Sequence, residues 1–161
     1  MAVTEDGHVL SWGWGSNGQL ANGSTYDEAV PTEVKALGSQ RVAAVACGYY
    51  HTAVVTEDGL VLCWGKGNSG QLGLGDDRSS LTPLAISSLR QHKILDVSCG
   101  MAHTLAISEE GLLFAWGSGA DGQLGVGPLA DGRTDAHEPL LVQGIEGRVS
   151  SVAGMPRPKG L

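Results

Sequence analysis

Short apolar runs of about five to eight positions alternate along the chain with glycine-rich segments. RVAAVACG at 41–48 predicts one strand, and HTAVVTEDGLVLCWGKG at 51–67 predicts a hairpin whose β-branched runs flank Glu57-Asp58-Gly59. A glycine at the last position of that turn supplies the positive φ that a tight hairpin needs. A fourth short strand is predicted after Pro83, around LAISSL. The pattern predicts no helix, because no segment shows a clear apolar period of 3.6 residues.

The same four-strand pattern recurs with a step of 52 residues. WGWGSNGQL at Trp12 returns as WGKGNSGQL at Trp64 and as WGSGADGQL at Trp116. AVTEDG returns as VVTEDG and AISEEG, and CGYYHT returns as CGMAHT. Periods of this length with four strands each are typical of β-propeller blades. We therefore predict an all-β fold, a partial β-propeller of about three four-stranded antiparallel blades.

The motifs CG-x-x-HT, [TS]-E-[DE]-G and WG-x-G-x-x-GQL resemble the repeats of the regulator of chromosome condensation family over nearly the whole chain. The resemblance implies blades of a propeller that, in the family, usually closes with seven repeats. We expect a first repeat at 1–40 that lacks its first strand, a second at 41–92, and a third at 93–148 with a loop insertion at 128–138. Residues 149–161 are expected to begin a degenerate repeat.

The end of the chain departs from the repeat, because Pro156 and Pro158 cannot donate to a sheet ladder. We expect Met155 to Leu161 to be a frayed tail. Three blades leave two blade faces open. The chain is therefore expected to be a fragment, a truncated product, or a unit whose propeller other chains complete.

Each WG-x-G-x-x-GQL segment contains G-x-G-x-x-G, a spacing that can also hold the phosphates of a dinucleotide. A dinucleotide loop opens a helix, whereas loops rich in Gly, Asp and Pro follow here. All three copies carry the glycines, so Gly13, Gly65 and Gly117 are interpreted as structural. No cofactor is predicted. No metal site is predicted either, because the three cysteines show no C-x-x-C spacing.

A residue present in every repeat is expected to build the blade, and a residue present in one repeat is a better candidate for function. Trp12, Trp64 and Trp116 are expected to fill the space between blades, and His51 and His103 to donate to backbone between strands. No catalytic constellation is predicted. The residues that single repeats carry are the candidate interaction residues, namely Trp14, Tyr49, Tyr50, Asp131, Arg133, Asp135 and His137.

The net charge of −7, with no run of basic residues, argues against direct binding to nucleic acid. No signal peptide and no membrane-spanning apolar run is evident, so a cytoplasmic or nuclear protein without membrane contact is expected. The predicted function is a non-catalytic module that binds or regulates a protein partner. The family resemblance leaves two alternatives open, a guanine-nucleotide exchange factor for a Ran-like small GTPase and the targeting region of a larger kinase or ubiquitin ligase.

Overall fold

Three antiparallel β-sheets form the body of the computed structural model, which describes residues 1–154. The first sheet has three strands, β1 (Ala2–Val3), β2 (Val9–Gly13) and β3 (Glu28–Glu33). The second sheet contains β4 (Val42–Cys47), β5 (His51–Thr56), β6 (Val61–Gly65) and β7 (Ser80–Ala85). The third contains β8 (Ile94–Cys99), β9 (His103–Ser108), β10 (Leu113–Gly117) and β11 (Ala136–Leu141). The prediction of an all-β fold built from such sheets is confirmed.

The strand predicted around LAISSL is misplaced. The strand β7 begins before Pro83 and ends at Ala85, and Ser87–Leu89 forms one turn of 3-10 helix. Proline is compatible with β7 because this strand lies at the edge of its sheet. The helical turn buries Leu89, as Lys35–Leu37 buries Leu37 in the first repeat. The expected frayed tail, Met155 to Leu161, lies outside the described residues.

The apolar core lies between neighbouring sheets. Alternate residues of a strand point to opposite faces of its sheet, so one strand serves two interfaces. In β5, Val54 belongs to the cluster shared with the first sheet, whereas Val55 belongs to the cluster shared with the third. In β6, Trp64 belongs to the first of these clusters and Cys63 to the second. The second sheet is therefore apolar on both faces.

A hydrogen-bonded connection accompanies each apolar interface, at the Gly-Gln-Leu turn that ends the WG-x-G-x-x-GQL motif. The Trp64 indole Nε1 donates to the backbone carbonyl oxygen of Gln19 over 2.8 Å. The Thr52 hydroxyl donates to the same oxygen over 3.0 Å. Both donors come from the second sheet and the acceptor from the first repeat. We name this arrangement, one turn carbonyl with a Trp and a Thr donor from the next sheet, the carbonyl joint.

The second carbonyl joint repeats the first between the second and third sheets. Trp116 Nε1 and Thr104 Oγ1 each donate over 3.0 Å to the carbonyl oxygen of Gln71. His51 Nε2 lies 2.9 Å from Thr104 Oγ1. The hydroxyl hydrogen already goes to Gln71, so His51 must donate here. The partner of His51 is thus a hydroxyl of the next sheet and not the backbone, which corrects the sequence-based expectation.

Glycines of the WG-x-G-x-x-GQL motif allow the backbone conformation that leads to the acceptor carbonyl of the carbonyl joint. Gly65 has φ +98°, which favours glycine, and its counterparts Gly13 and Gly117 have φ +97° and +100°. A Cβ atom on Gly67 would lie 2.0 Å from the carbonyl oxygen of Arg78. Gln71 fixes the turn itself, because its side-chain Oε1 accepts the Ser69 amide over 2.8 Å. The glycines are thus needed where the backbone turns with a positive φ and where two backbone segments lie close together.

The two threonines of the carbonyl joints differ in the number of bonds they make. Replacing Thr104 by Val should cost about 2 to 3 kcal/mol of unfolding free energy, because it removes two bonds and leaves a buried His51 N–H unpaired. Replacing Thr52 by Val removes only the bond to the Gln19 carbonyl oxygen and should cost about 1 kcal/mol. Urea unfolding of both variants and the wild type measures the difference. Equal costs would contradict this account of the joint.

The buried His51 ring also predicts a pH dependence. Burial, helped by His103, lowers the pKa of His51 from 6.5 to about 4. Below pH 6.5 the His51 ring is protonated in the unfolded chain but stays neutral in the folded chain. The free energy of unfolding therefore falls as pH falls from 6.5 towards 4. Between pH 7.5 and 5 the loss should be on the order of 2 kcal/mol. Urea unfolding at both pH values should show this loss in the wild type and in His8→Gln, a surface control, and a smaller loss in His51→Gln. If His51→Gln lost as much unfolding free energy between pH 7.5 and 5 as the wild type, the burial of His51 would not be the cause of the pH dependence.

Candidate functional site

Three aromatic side chains from two repeats meet on the surface. Trp14 follows β2, and Tyr49 and Tyr50 lie in the loop between β4 and β5. The Trp14 and Tyr50 rings meet edge to face with centroids 5.5 Å apart, and the Tyr49 and Tyr50 centroids are 5.0 Å apart. The Lys66 ammonium lies 4.9 Å from the centroid of Tyr50. We name Trp14, Tyr49, Tyr50 and Lys66 the aromatic patch.

The aromatic patch combines a fixed geometry with exposure. Trp14 remains 51% exposed although its ring contacts Tyr50. The Lys66 amide donates to the Tyr50 carbonyl oxygen over 2.8 Å, which ties the loop to the end of β6. Aromatic side chains that pack against one another lose less conformational entropy on binding than isolated ones, and Trp and Tyr are enriched among the residues that contribute most of the binding energy of protein–protein interfaces. The patch therefore presents an exposed aromatic surface beside a positive charge.

Sequence reasoning selected Trp14, Tyr49 and Tyr50 separately, and the structure brings these three together. It missed Lys66, whose main chain and ammonium both contact Tyr50. The signal was available, because Lys66 occupies in the second repeat the position that Trp14 occupies in the first. Equivalent positions of neighbouring repeats lie side by side in a propeller, so a patch built across two repeats can combine them.

The charged loop predicted as a second interaction surface has a local structure of its own. Asp131 Oδ1 accepts the Arg133 amide over 3.0 Å, and Asp131 Oδ2 accepts Arg133 Nε over 2.6 Å. Asp76 and Arg78 of the second repeat form the same turn with the same two distances. The Asp-x-Arg turn therefore belongs to two repeats, and the shared spacing was visible in the sequence. These hydrogen bonds lower the pKa of Asp131 and of Asp76.

Asp135 and His137 lie at contacts that support the sheets. Asp135 Oδ1 accepts the Gly119 amide over 3.2 Å, as Asp27 Oδ1 accepts the Gly15 amide over 2.9 Å. His137 is half-buried in β11, and its carbonyl oxygen accepts the Gly75 amide over 2.9 Å. No described contact joins either residue to the aromatic patch. The interaction role predicted for this loop stays a prediction, and the aromatic patch is the better-formed surface.

Residues 1–154 contain no cluster of three or more His, Cys, Asp or Glu side chains that could hold a metal ion. Burial raises the pKa of Cys63 well above its ordinary value and that of Cys99 to about 12, so both thiols stay protonated and unreactive. None of the described helices is long and apolar enough to cross a membrane.

Comparison with known proteins identifies the repeat. A family model described as Regulator of chromosome condensation (RCC1) repeat matches at residues 6–55, 58–107 and 110–154. The Ultraviolet-B receptor UVR8 of Arabidopsis thaliana is 45% identical over 131 residues, which are 81% of this chain and 30% of the receptor. The human E3 ubiquitin-protein ligase HERC2 is 41% identical over 128 residues, 78% of this chain and 3% of the ligase. The chain spans less than a third of the length of these relatives.

Solved structures agree with the fold. Human WBSCR16 superposes with a TM-score of 0.80 at 30% identity, over 96% of this chain and 39% of that one. Prp20p from Saccharomyces cerevisiae superposes with a TM-score of 0.77 at 21% identity, over 89% of this chain and 36% of that one. At the lower identity the likeness concerns the fold alone. The predicted partial β-propeller is thereby confirmed.

Proposed function

Because the chain belongs to the regulator of chromosome condensation (RCC1) repeat family, we propose that it is a non-catalytic protein-interaction module that binds its partner through the aromatic patch. The observation that carries this proposal is the contact of Trp14, Tyr49 and Tyr50 across two repeats, with Trp14 half exposed. The fold does not require an aromatic residue at the position of Trp14, since Lys66 and Ser118 occupy it in the other repeats.

The chemistry of the patch suggests what kind of partner it binds. Its aromatic rings favour an apolar or aromatic side chain, and Lys66 favours a carboxylate next to it. The chain as a whole carries a net charge of −7, so long-range attraction to an acidic partner is weak. The proposed ligand is therefore a protein segment with an apolar anchor and one adjacent acidic residue. We place this interaction in the cytoplasm or nucleus, where free thiols like those of the three cysteines are typical.

The two alternatives from the family resemblance have less support. Nucleotide exchange on a Ran-like GTPase would require a surface that displaces a bound nucleotide, and no described feature points to one. A role as the targeting region of a larger kinase or ubiquitin ligase is a special case of the proposed module. The 41% identity with HERC2 fits that case, because the matched region is 3% of the ligase.

Affinity capture from a cell extract, followed by quantitative mass spectrometry, tests the aromatic patch. Trp14→Ala and Tyr49→Ala should each lose partners that the wild type retains, with at least a tenfold weaker Kd for a purified partner, which is about 1.4 kcal/mol. Tyr26→Ala is the matched control, because Tyr26 is a more exposed aromatic residue of the first repeat without a contact to the patch.

Thermal unfolding of all three variants separates loss of binding from loss of folding. The side chains are exposed enough that the midpoints should stay within a few degrees of the wild type. Capture of the same proteins at the same level by wild type, Trp14→Ala and Tyr49→Ala would reject the patch as the docking surface.

A further inference from the structure

The three asparagines of the chain are Asn17, Asn22 and Asn68, and glycine directly follows the first two. The backbone nitrogen of the next residue can attack an asparagine side chain, which forms a five-membered imide and releases ammonia. Because this attack lies within one chain, its rate depends strongly on how the two groups are held. A following glycine favours it, since glycine has no Cβ atom to hinder the approach.

Hydrogen bonds hold the next amide at two of the three asparagines. After Asn17, the Gly18 amide donates to the Gly15 carbonyl oxygen over 2.8 Å. After the third asparagine, the Ser69 amide donates to Gln71 Oε1 over 2.8 Å. Each of these bonds must break before the nitrogen can attack the preceding side chain. The fold therefore protects the first and third asparagines.

The Gly23 amide, which follows Asn22, is the exception. Gly23 is exposed with φ +74°, and among residues 1–154 no group accepts its N–H. Its counterpart in the second repeat, Gly75, donates to the carbonyl oxygen of His137 over 2.9 Å. Aspartates followed by glycine can form the same imide, but there the glycine amide is held as well. Four glycines that follow an aspartate donate to the carbonyl oxygen three residues earlier, over 2.9 to 3.0 Å, namely Gly7, Gly59, Gly122 and Gly132.

The Asn22 side chain is held in a way that assists the attack. The Ser24 amide and the Ser24 hydroxyl donate to Asn22 Oδ1 over 3.0 Å and 2.9 Å. Negative charge develops on this oxygen as the Gly23 nitrogen bonds to Cγ, and two donors aimed at it stabilise that charge. Asn22 Nδ2 donates to Glu28 Oε1 over 3.0 Å, which fixes the plane of the amide. In the part of the chain that the structure describes, neither of the other asparagines has two donors on Oδ1.

We propose that Asn22 is a site of spontaneous deamidation in the folded protein. The Gly23 nitrogen gives up its proton and bonds to Asn22 Cγ, and the bond between Cγ and Nδ2 breaks. The Nδ2 group leaves as ammonia with one added proton. Water then opens the imide, at Cγ to give aspartate or at the backbone carbonyl carbon of residue 22 to give isoaspartate. The net reaction consumes one water molecule and releases one ammonia.

Deamidation changes the contact that residue 22 makes with the start of β3. Glu28 is the first residue of β3 and pairs with Gly13 of β2. A carboxylate at residue 22 places a negative oxygen where Nδ2 now donates to Glu28. The reaction therefore replaces a hydrogen bond by a repulsion between like charges. None of these residues belongs to the aromatic patch, so this inference and the proposed function can fail independently.

Peptide mapping by mass spectrometry, during incubation of the full chain at neutral pH, tests the proposal. Asn17 is the matched control in the same molecule, because glycine follows it as well. In the folded protein Asn22 should be converted at least about tenfold faster than Asn17, to both aspartate and isoaspartate. In urea, where no fold holds either amide, the two should be converted at similar rates. Equal rates in the folded protein, or an equally large difference in urea, would overturn the proposal.

Two substitutions of Ser24 test the assistance to the attack. Ser24→Ala removes the hydroxyl donor to Oδ1 and should slow the conversion of Asn22 about threefold to tenfold. Ser24→Thr keeps a hydroxyl and should retain the wild-type rate. The rate at Asn17 should stay unchanged in both variants, because only partial unfolding would raise it. Faster conversion of Asn22 in Ser24→Ala at an unchanged Asn17 rate would show that Ser24 protects Asn22, and would overturn the assigned role.

Discussion

One backbone carbonyl oxygen in each of the first two repeats, at Gln19 and at Gln71, connects one sheet to the next. It accepts a tryptophan N–H and a threonine O–H from the following sheet, and both tryptophans are fully buried. Each bond contributes a net stabilisation of about 0.5 to 1.5 kcal/mol, but leaving such buried groups unpaired costs more. The joint therefore sets which position of one sheet faces which position of its neighbour, in addition to stabilising the contact.

The motif residues follow from this requirement. The glycines let the turn approach neighbouring backbone, the glutamine side chain fixes the turn, and the tryptophan and threonine reach it from the next sheet. His51 extends the network by donating to Thr104, at the cost of a buried imidazole that must stay neutral. In a repeat protein each unit interacts with its nearest neighbours, so the same few groups determine the stability of each contact between sheets.

Sequence predicted the fold well, because a period of 52 residues and alternating β-branched runs specify strands and blades directly. It placed β7 poorly, since Pro83 suggested a boundary where the edge strand in fact continues. The sequence does not show that Trp12 is more exposed than Trp64, because both lie in the same local motif. Their exposure differs because a neighbouring sheet covers Trp64 and not Trp12. Trp14, Tyr49 and Tyr50 were found by asking which residues the repeat does not require, whereas the turn of Asp131 and Arg133 needed comparison with Asp76 and Arg78.

The exchange of indole N–H groups with solvent deuterium, followed by NMR, tests the carbonyl joint most directly. Trp64 and Trp116 donate to buried carbonyls, so their N–H groups should exchange only when the sheets separate, far more slowly than that of the half-exposed Trp14. In Thr104→Val the Trp116 N–H should exchange faster while that of Trp64 changes little. Exchange of Trp64 and Trp116 as fast as that of Trp14 in the folded protein would contradict the account.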